Sequence, residues 1–379
     1  MSFRQHCIHL EGDSPGQSIE LNYYRIGPES PSRKVYLQAA IHADEQPGIL
    51  VLHHLLSLLR EADAAGLLDA GFVVFPMVNP IGMSNIEFLQ HQGRYNRSTG
   101  VNFNRQWPDL FAAIDDSVVA DLGNDVERNR SRVREALSHW VEKMPTGTAI
   151  EQWRQALYRE ACDADYVFDL HCDDDSLLHI FSVPQLAEEI TSLSNWTGAA
   201  ATMLAEDSGG GSFDEVWPAL WLKLARDFPD LDIPMPVISC TLEYRGQMDT
   251  YDHLNRDDAV RLYAYFQMQG LIRGEPEIEA PGGAKPTDLR ATDYMKAPAS
   301  GLILYQTELG QRVAKGDLVA ELLQLDGEGA FLHRTPVLAS TDGLLLSRNI
   351  NKYVWRNANI GKIVGTEIIK AEGEFLLSD

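Results

Sequence analysis

Four strand-length apolar runs punctuate the chain, and the segments between them carry helical periodicity. The runs are residues 34–41 (KVYLQAAI), 71–78 (GFVVFPMV), 166–171 (YVFDLH) and 235–243 (MPVISCTLE). Apolar residues recur at three- and four-residue intervals over 47–66, 148–164 and 257–270, and Pro47 suits the first turn of a helix. Strands that are apolar on both sides belong inside a parallel sheet covered by helices on both faces. Ahead of them, residues 5–12 and 18–30 read as a hairpin across the turn Asp13-Ser14-Pro15-Gly16. The expected fold is α/β, with a mixed, mainly parallel sheet.

Two regions interrupt this rhythm. Residues 109–150 are charge-rich, with a helical pattern over 126–142, and read as an insertion over the core. Ser208-Gly209-Gly210-Gly211 is a flexible loop feeding Ser212-Phe213-Asp214-Glu215, which has the spacing of a capping box for a helix running to Arg226. After Gly274 the composition changes. Residues 275–288 read as a Pro/Gly/Glu-rich linker, and helical periodicity ends there. A weak repeat follows: Gly301-Leu302-Ile303 resembles Gly343-Leu344-Leu345, and Val313-Ala314-Lys315-Gly316 resembles Val354-Trp355-Arg356-Asn357. Gly316 and Asn357 suit a turn with positive φ. The expected organisation is a catalytic domain over 1–274 and a small all-β, barrel-like domain over 289–379. No lysine flanked by methionines sits at a hairpin tip, so a biotinyl or lipoyl carrier role is not expected.

Charge narrows the partners. The 379 residues hold 32 Lys and Arg against 55 Asp and Glu, a net charge of −23. That field repels phosphate backbones and anionic lipid, so neither nucleic acid nor a membrane surface is expected as a partner. No apolar run approaches the ~18–20 residues that span a bilayer, and the first residues lack a basic stretch followed by an apolar one. Cys7, Cys162, Cys172 and Cys240 form no CxxC pair, which fits reduced thiols in a cytoplasm. Association into a homo-oligomer stays open.

Chemistry-bearing residues gather at strand ends, where open α/β sheets bind ligands. His42-Ala43-Asp44-Glu45 follows the first run and Asp169-Leu170-His171 ends the third. Alone, H-x-x-E is better read as a polar strand-to-helix turn with Glu45 on the helix dipole. Two histidines and one carboxylate with an open position make a catalytic zinc set, and also suit nonhaem iron. Asp169 is placed to orient His171. Glu243 ends the fourth run and suits a general base. Residues 94–108 (RYNRSTGVNFNRQWP) carry three arginines in an acidic protein, suited to a carboxylate or an oxyanion. Asp173, Asp174 and Asp175 read as a solvated acidic loop.

Taken in this order, the H-x-x-E, the R-x-x-R-S…G-V-x-x-N-R-x-W stretch, D-L-H, the strand-terminal T-L-E and the C-terminal β domain resemble the succinylglutamate desuccinylase/aspartoacylase family of the zinc carboxypeptidase fold group. The resemblance covers nearly the whole chain outside 109–150. It implies that His42, Glu45 and His171 bind one Zn2+ per chain. It makes Glu243 the general base and proton shuttle, and Arg97 the group that polarises the scissile carbonyl. Asn104 and Arg105 would grip the carboxylate of a small N-acyl substrate. Family members usually carry Gly at Ala43, Asp at Asn102, and Thr or Asn at Cys172; these departures bear on substrate identity. The implied activity is hydrolysis of the amide of an N-acylated amino acid or related small molecule. A carboxypeptidase acting on peptides, or a binding protein that kept the fold without catalysis, are the alternatives.

Overall fold

The computed structural model describes residues 2–371, Gly373 and Leu376; the remaining end of the expected 289–379 domain lies outside the described residues. The chain divides into two compact units. One comprises 1–171, 210–242 and 250–280; the other comprises 172–209, 243–249 and 281–379.

The first unit is built on the expected sheet. Its strands run in the order Arg4–Glu11, Ser18–Ile26, Gly71–Phe75, Lys34–Ala39, Tyr166–Asp173, Ile238–Gly246. The two N-terminal strands pair antiparallel, from Arg4 opposite Arg25 to Glu11 opposite Ser18, closing the expected hairpin. Lys34–Ala39 pairs parallel with Gly71–Phe75 and with Tyr166–Asp173. Every residue of Gly71–Phe75 is buried, as are the first seven of Tyr166–Asp173, which explains their unbroken apolar character.

Helix Pro47–Ala64 starts on its proline and packs against Asp252–Met268. The stretch 109–150 folds as expected around a helix, Val126–Val141, followed by Ala149–Ala161 under a true Thr148/Glu151 capping box. The aromatic side chains Trp107, Trp153, Tyr158, Phe213 and Trp217 interlock beneath it in one buried cluster. The second expected capping box does not form. Helix Val216–Asp227 has no side-chain cap, because the Ser212 hydroxyl donates to Asp214 Oδ1 at 2.6 Å instead; only Glu215 reaches back, accepting from Ser212 N at 3.3 Å.

In the second unit, His179–Ser182, Ala201–Leu204 and Pro286–Asp288 pair in parallel. The sequence repeat becomes two antiparallel sheets that exchange strands. Gly301–Tyr305 of the first copy pairs with Tyr353–Val354 of the second, and Arg312–Val313 pairs with Gly343–Arg348. Gly316 and Asn357, at matching points of the repeat, both take positive φ, 94° and 66°. Ile303, Val319, Leu322, Leu345, Ile360 and Ile363 fill the space between the sheets. No helix among the described residues is long and apolar enough to cross a membrane.

Candidate metal centre

Register brings the two histidines to one edge. Ala39 lies opposite Leu170 in the parallel pair, so the turn holding His42 and the end of the strand holding His171 emerge together at the carboxyl edge. The turn is rigidly built. Ala40 adopts φ 61°, a left-handed conformation that costs an alanine about 1–3 kcal/mol and survives only where the surroundings impose it. Asn79 Nδ2 donates to the Ile41 carbonyl at 2.7 Å, and the Gly93 carbonyl accepts from Ala43 N at 3.0 Å. A side chain on Gly93 would run into the backbone of Ala43 and Asp44, so only glycine allows this approach.

His42, Glu45 and His171 are buried, and one ligand atom from each lies within 4.8 Å of the others. Glu45 stands between the rings. Its Oε1 is 2.9 Å from Nδ1 of His42, and its Oε2 is 2.8 Å from Nδ1 of His171. The opposite nitrogens are occupied by orienting groups: His42 Nε2 lies 2.7 Å from Asn102 Oδ1, while His171 Nε2 lies 3.1 Å from Asp169 Oδ2 and 3.3 Å from Asn104 Nδ2. Both rings therefore turn Nδ1 toward the carboxylate, the arrangement in which outer partners fix imidazoles for a metal.

The electrostatics follow from burial and neighbours. Burial, reinforced by the Arg94 cation, pushes His42 down to about 4, so its ring stays neutral. Burial disfavours charge on His171 too, but Asp169 and Glu45 outweigh it and hold its pKa well above the usual range. Burial likewise opposes ionisation of Glu45, and the two imidazoles overcome it, holding the carboxyl well below its ordinary value.

The arginine-rich stretch is divided in its roles. Arg94 Nη1 donates to Glu45 Oε1 at 2.9 Å, a partner that spacing gave no reason to expect. Arg97, half exposed, pairs with Glu87 at 3.0 Å. Asn102 Oδ1 also accepts from Asn104 N at 2.8 Å, and Asn104 Oδ1 accepts from Phe213 N at 2.8 Å, fixing Asn104 beside His171. Arg105 runs along Gly210, where an added Cβ would lie 2.8 Å from its Cδ, and donates to the Asn104 carbonyl at 3.0 Å. Glu243 opens a segment of the second unit on the strand Ile238–Gly246. The acidic run after His171 is not the solvated loop expected: in the second unit Asp173 pairs with buried Lys362 at 2.5 Å, and Asp175 with Arg348 at 3.0 Å.

With this geometry in hand, comparison decides the family. The family model described as the succinylglutamate desuccinylase/aspartoacylase catalytic domain matches residues 31–214, a span that includes His42, Glu45 and His171. Residues 31–214 belong to the succinylglutamate desuccinylase/aspartoacylase family. The fold is shared across almost the whole chain with a succinylglutamate desuccinylase/aspartoacylase family protein from Shewanella amazonensis (23% identity, 95% of this chain and 98% of that one, TM-score 0.81). It is shared also with a succinylglutamate desuccinylase/aspartoacylase from Rhodobacter sphaeroides (16%, 96% and 96%, 0.67) and with the product-bound ectoine utilization protein EutE from Ruegeria pomeroyi (16%, 96% and 95%, 0.66). No curated protein matches the chain in sequence.

Proposed function

We propose that this desuccinylase/aspartoacylase-family chain is a zinc-dependent deacylase that hydrolyses the amide of a small, carboxylate-bearing N-acyl compound. The observation that carries the reading is the buried set of His42, Glu45 and His171, with both Nδ1 atoms turned to one carboxylate and both Nε2 atoms held from outside. Two imidazole nitrogens and one carboxylate, with a position left for substrate, fit catalytic zinc. When bound, the ion supplies Lewis-acid polarisation and water of lowered pKa, ~7 in well-studied cases.

The chain's own residues supply the rest. Glu243 accepts the proton of the attacking water and returns it to the departing amine. Arg97 exchanges Glu87 for the negative charge that develops on the carbonyl oxygen of the acyl group; a preorganised donor there is worth ~2.7–4 kcal/mol. Asn104 and Arg105 grip the substrate carboxylate, and that grip converts binding into orientation. The rigid tethering of Asn104 supports its part in this. A panel of N-acetyl and N-succinyl amino acids, run against dipeptides with zinc-reconstituted protein, tests the reading. Release of amine from the N-acyl compounds is expected; product from dipeptides alone would replace it with a peptidase.

A further inference from the structure

A second donor set stands on the outer face of the N-terminal hairpin. Alternation along Arg4–Glu11 turns Gln5, Cys7, His9 and Glu11 outward and Ile8 and Leu10 inward. The register sets His9 opposite Glu20 and Cys7 opposite Asn22, so thiol, imidazole and carboxylate share one face. One ligand atom from each of Cys7, His9 and Glu20 lies within 4.8 Å of the other two. All three are exposed. Cysteine is among the residue types most often buried, so a solvent-facing thiol two residues from an outward histidine is not explained by packing.

We propose that Cys7, His9 and Glu20 form a second divalent-metal site, distinct from the one at His42, that takes zinc. The thiolate and imidazole favour zinc over magnesium or calcium, which prefer oxygen-only shells. Zinc bonds of ~2.0–2.3 Å place tetrahedral ligands roughly 3.3–3.7 Å apart, which side-chain rotation on this face can reach. The backbone beneath stays fixed, because the two strands pair without a break from Arg4 to Glu11. Binding exchanges the Cys7 thiol proton, released to solvent, for a sulfur–metal bond. Three protein ligands leave the fourth position to water or an incoming donor.

Cobalt separates the two sites, because thiolate ligation adds a near-ultraviolet charge-transfer band that nitrogen and oxygen ligands lack. Metal-stripped full-length protein titrated with Co2+ at micromolar concentrations is expected to bind two equivalents, one of them raising that band. Cys7→Ser should abolish the band and one equivalent while leaving hydrolytic activity intact. His9→Ala and Glu20→Gln should weaken the same equivalent about tenfold or more. His42→Ala should keep the band and lose the other equivalent, so failure of this site and failure of the deacylase reading are told apart. No band in the wild type, a band that survives Cys7→Ser, or affinity unchanged in His9→Ala and Glu20→Gln would each overturn the proposal.

Discussion

Asn102 Oδ1 lies 2.7 Å from Nε2 of His42, making this neutral amide the group that sets the ring's orientation. With the Nε2 proton directed to an amide oxygen, Nδ1 is left as the nitrogen that would ligate the proposed zinc. Asn102→Leu is expected to lower zinc affinity by about 10–100-fold, the usual effect of losing an outer-shell partner. Asn102→Asp, which puts a carboxylate behind the same ring, should tighten zinc instead. Competition titration against a chromophoric chelator measures both; equal affinity in all three proteins would remove Asn102 from this role.

Arg97 tests the oxyanion assignment. Its side chain is half exposed and pairs with the exposed Glu87, a contact worth at most about 1 kcal/mol to stability. Arg97→Ala should therefore unfold at nearly the wild-type denaturant midpoint while kcat falls about 10²–10³-fold. A variant that turns over N-acyl substrate at close to the wild-type rate assigns the oxyanion to another group.

Lys362, which is buried, and Asp173, which keeps a small exposed fraction, form an ion pair within the second unit. Burial works against the charge on each, yet Lys362 holds Asp173 down to about 2, and Asp173 raises Lys362 in return. Lys362→Met leaves a largely buried carboxylate without its counter-ion and is expected to cost up to about 3–5 kcal/mol in urea unfolding. The double variant Lys362→Met/Asp173→Asn should recover much of that loss. If the double variant is no more stable than the single one, the pair is not what the charge on Asp173 depends on.

Asp214 gives a stability term of opposite sign. Burial, with the neighbouring Glu215 carboxylate, pushes its carboxyl up to about 6, above the value of about 4 for an unfolded chain. Between those values the folded state binds more protons than the unfolded one. Its contribution to stability therefore grows as pH falls from about 6 to 4 and is lost as pH rises through that window. Asp214→Asn should be more stable than the wild type at pH 7.5, relative to its standing at pH 4, by denaturation at the two pH values. A pH-independent difference between the proteins would contradict the shift.

The sequence was most legible where the physics is local. Runs such as 71–78 and 166–171 read as buried strands because both faces are covered, and Gly316 and Asn357 betrayed a shared left-handed turn through residue type alone. That His42, Glu45 and His171 would meet was readable from strand ends plus family resemblance, since register places His42 and His171 at one edge. Side-chain choices among competing partners were not legible. Ser212 has capping-box spacing, but its hydroxyl prefers Asp214. Asn102 read as a departure bearing on substrate identity, and its contact with the His42 ring carried no signal in the sequence. Arg94 carried no spacing signal, because its partner Glu45 is brought to it only by the fold of the 79–102 segment. The acidic run at 173–175 looked solvated because Lys362 and Arg348 are far away in sequence.

Anomalous diffraction at the zinc edge, on crystals of the zinc-loaded protein, locates the ion and its ligands in one experiment. A peak is expected at about 2.0–2.2 Å from Nδ1 of His42, Nδ1 of His171 and the Glu45 carboxylate together. An absent peak there, or an ion held through Nε2 of either ring, would contradict the proposed zinc site.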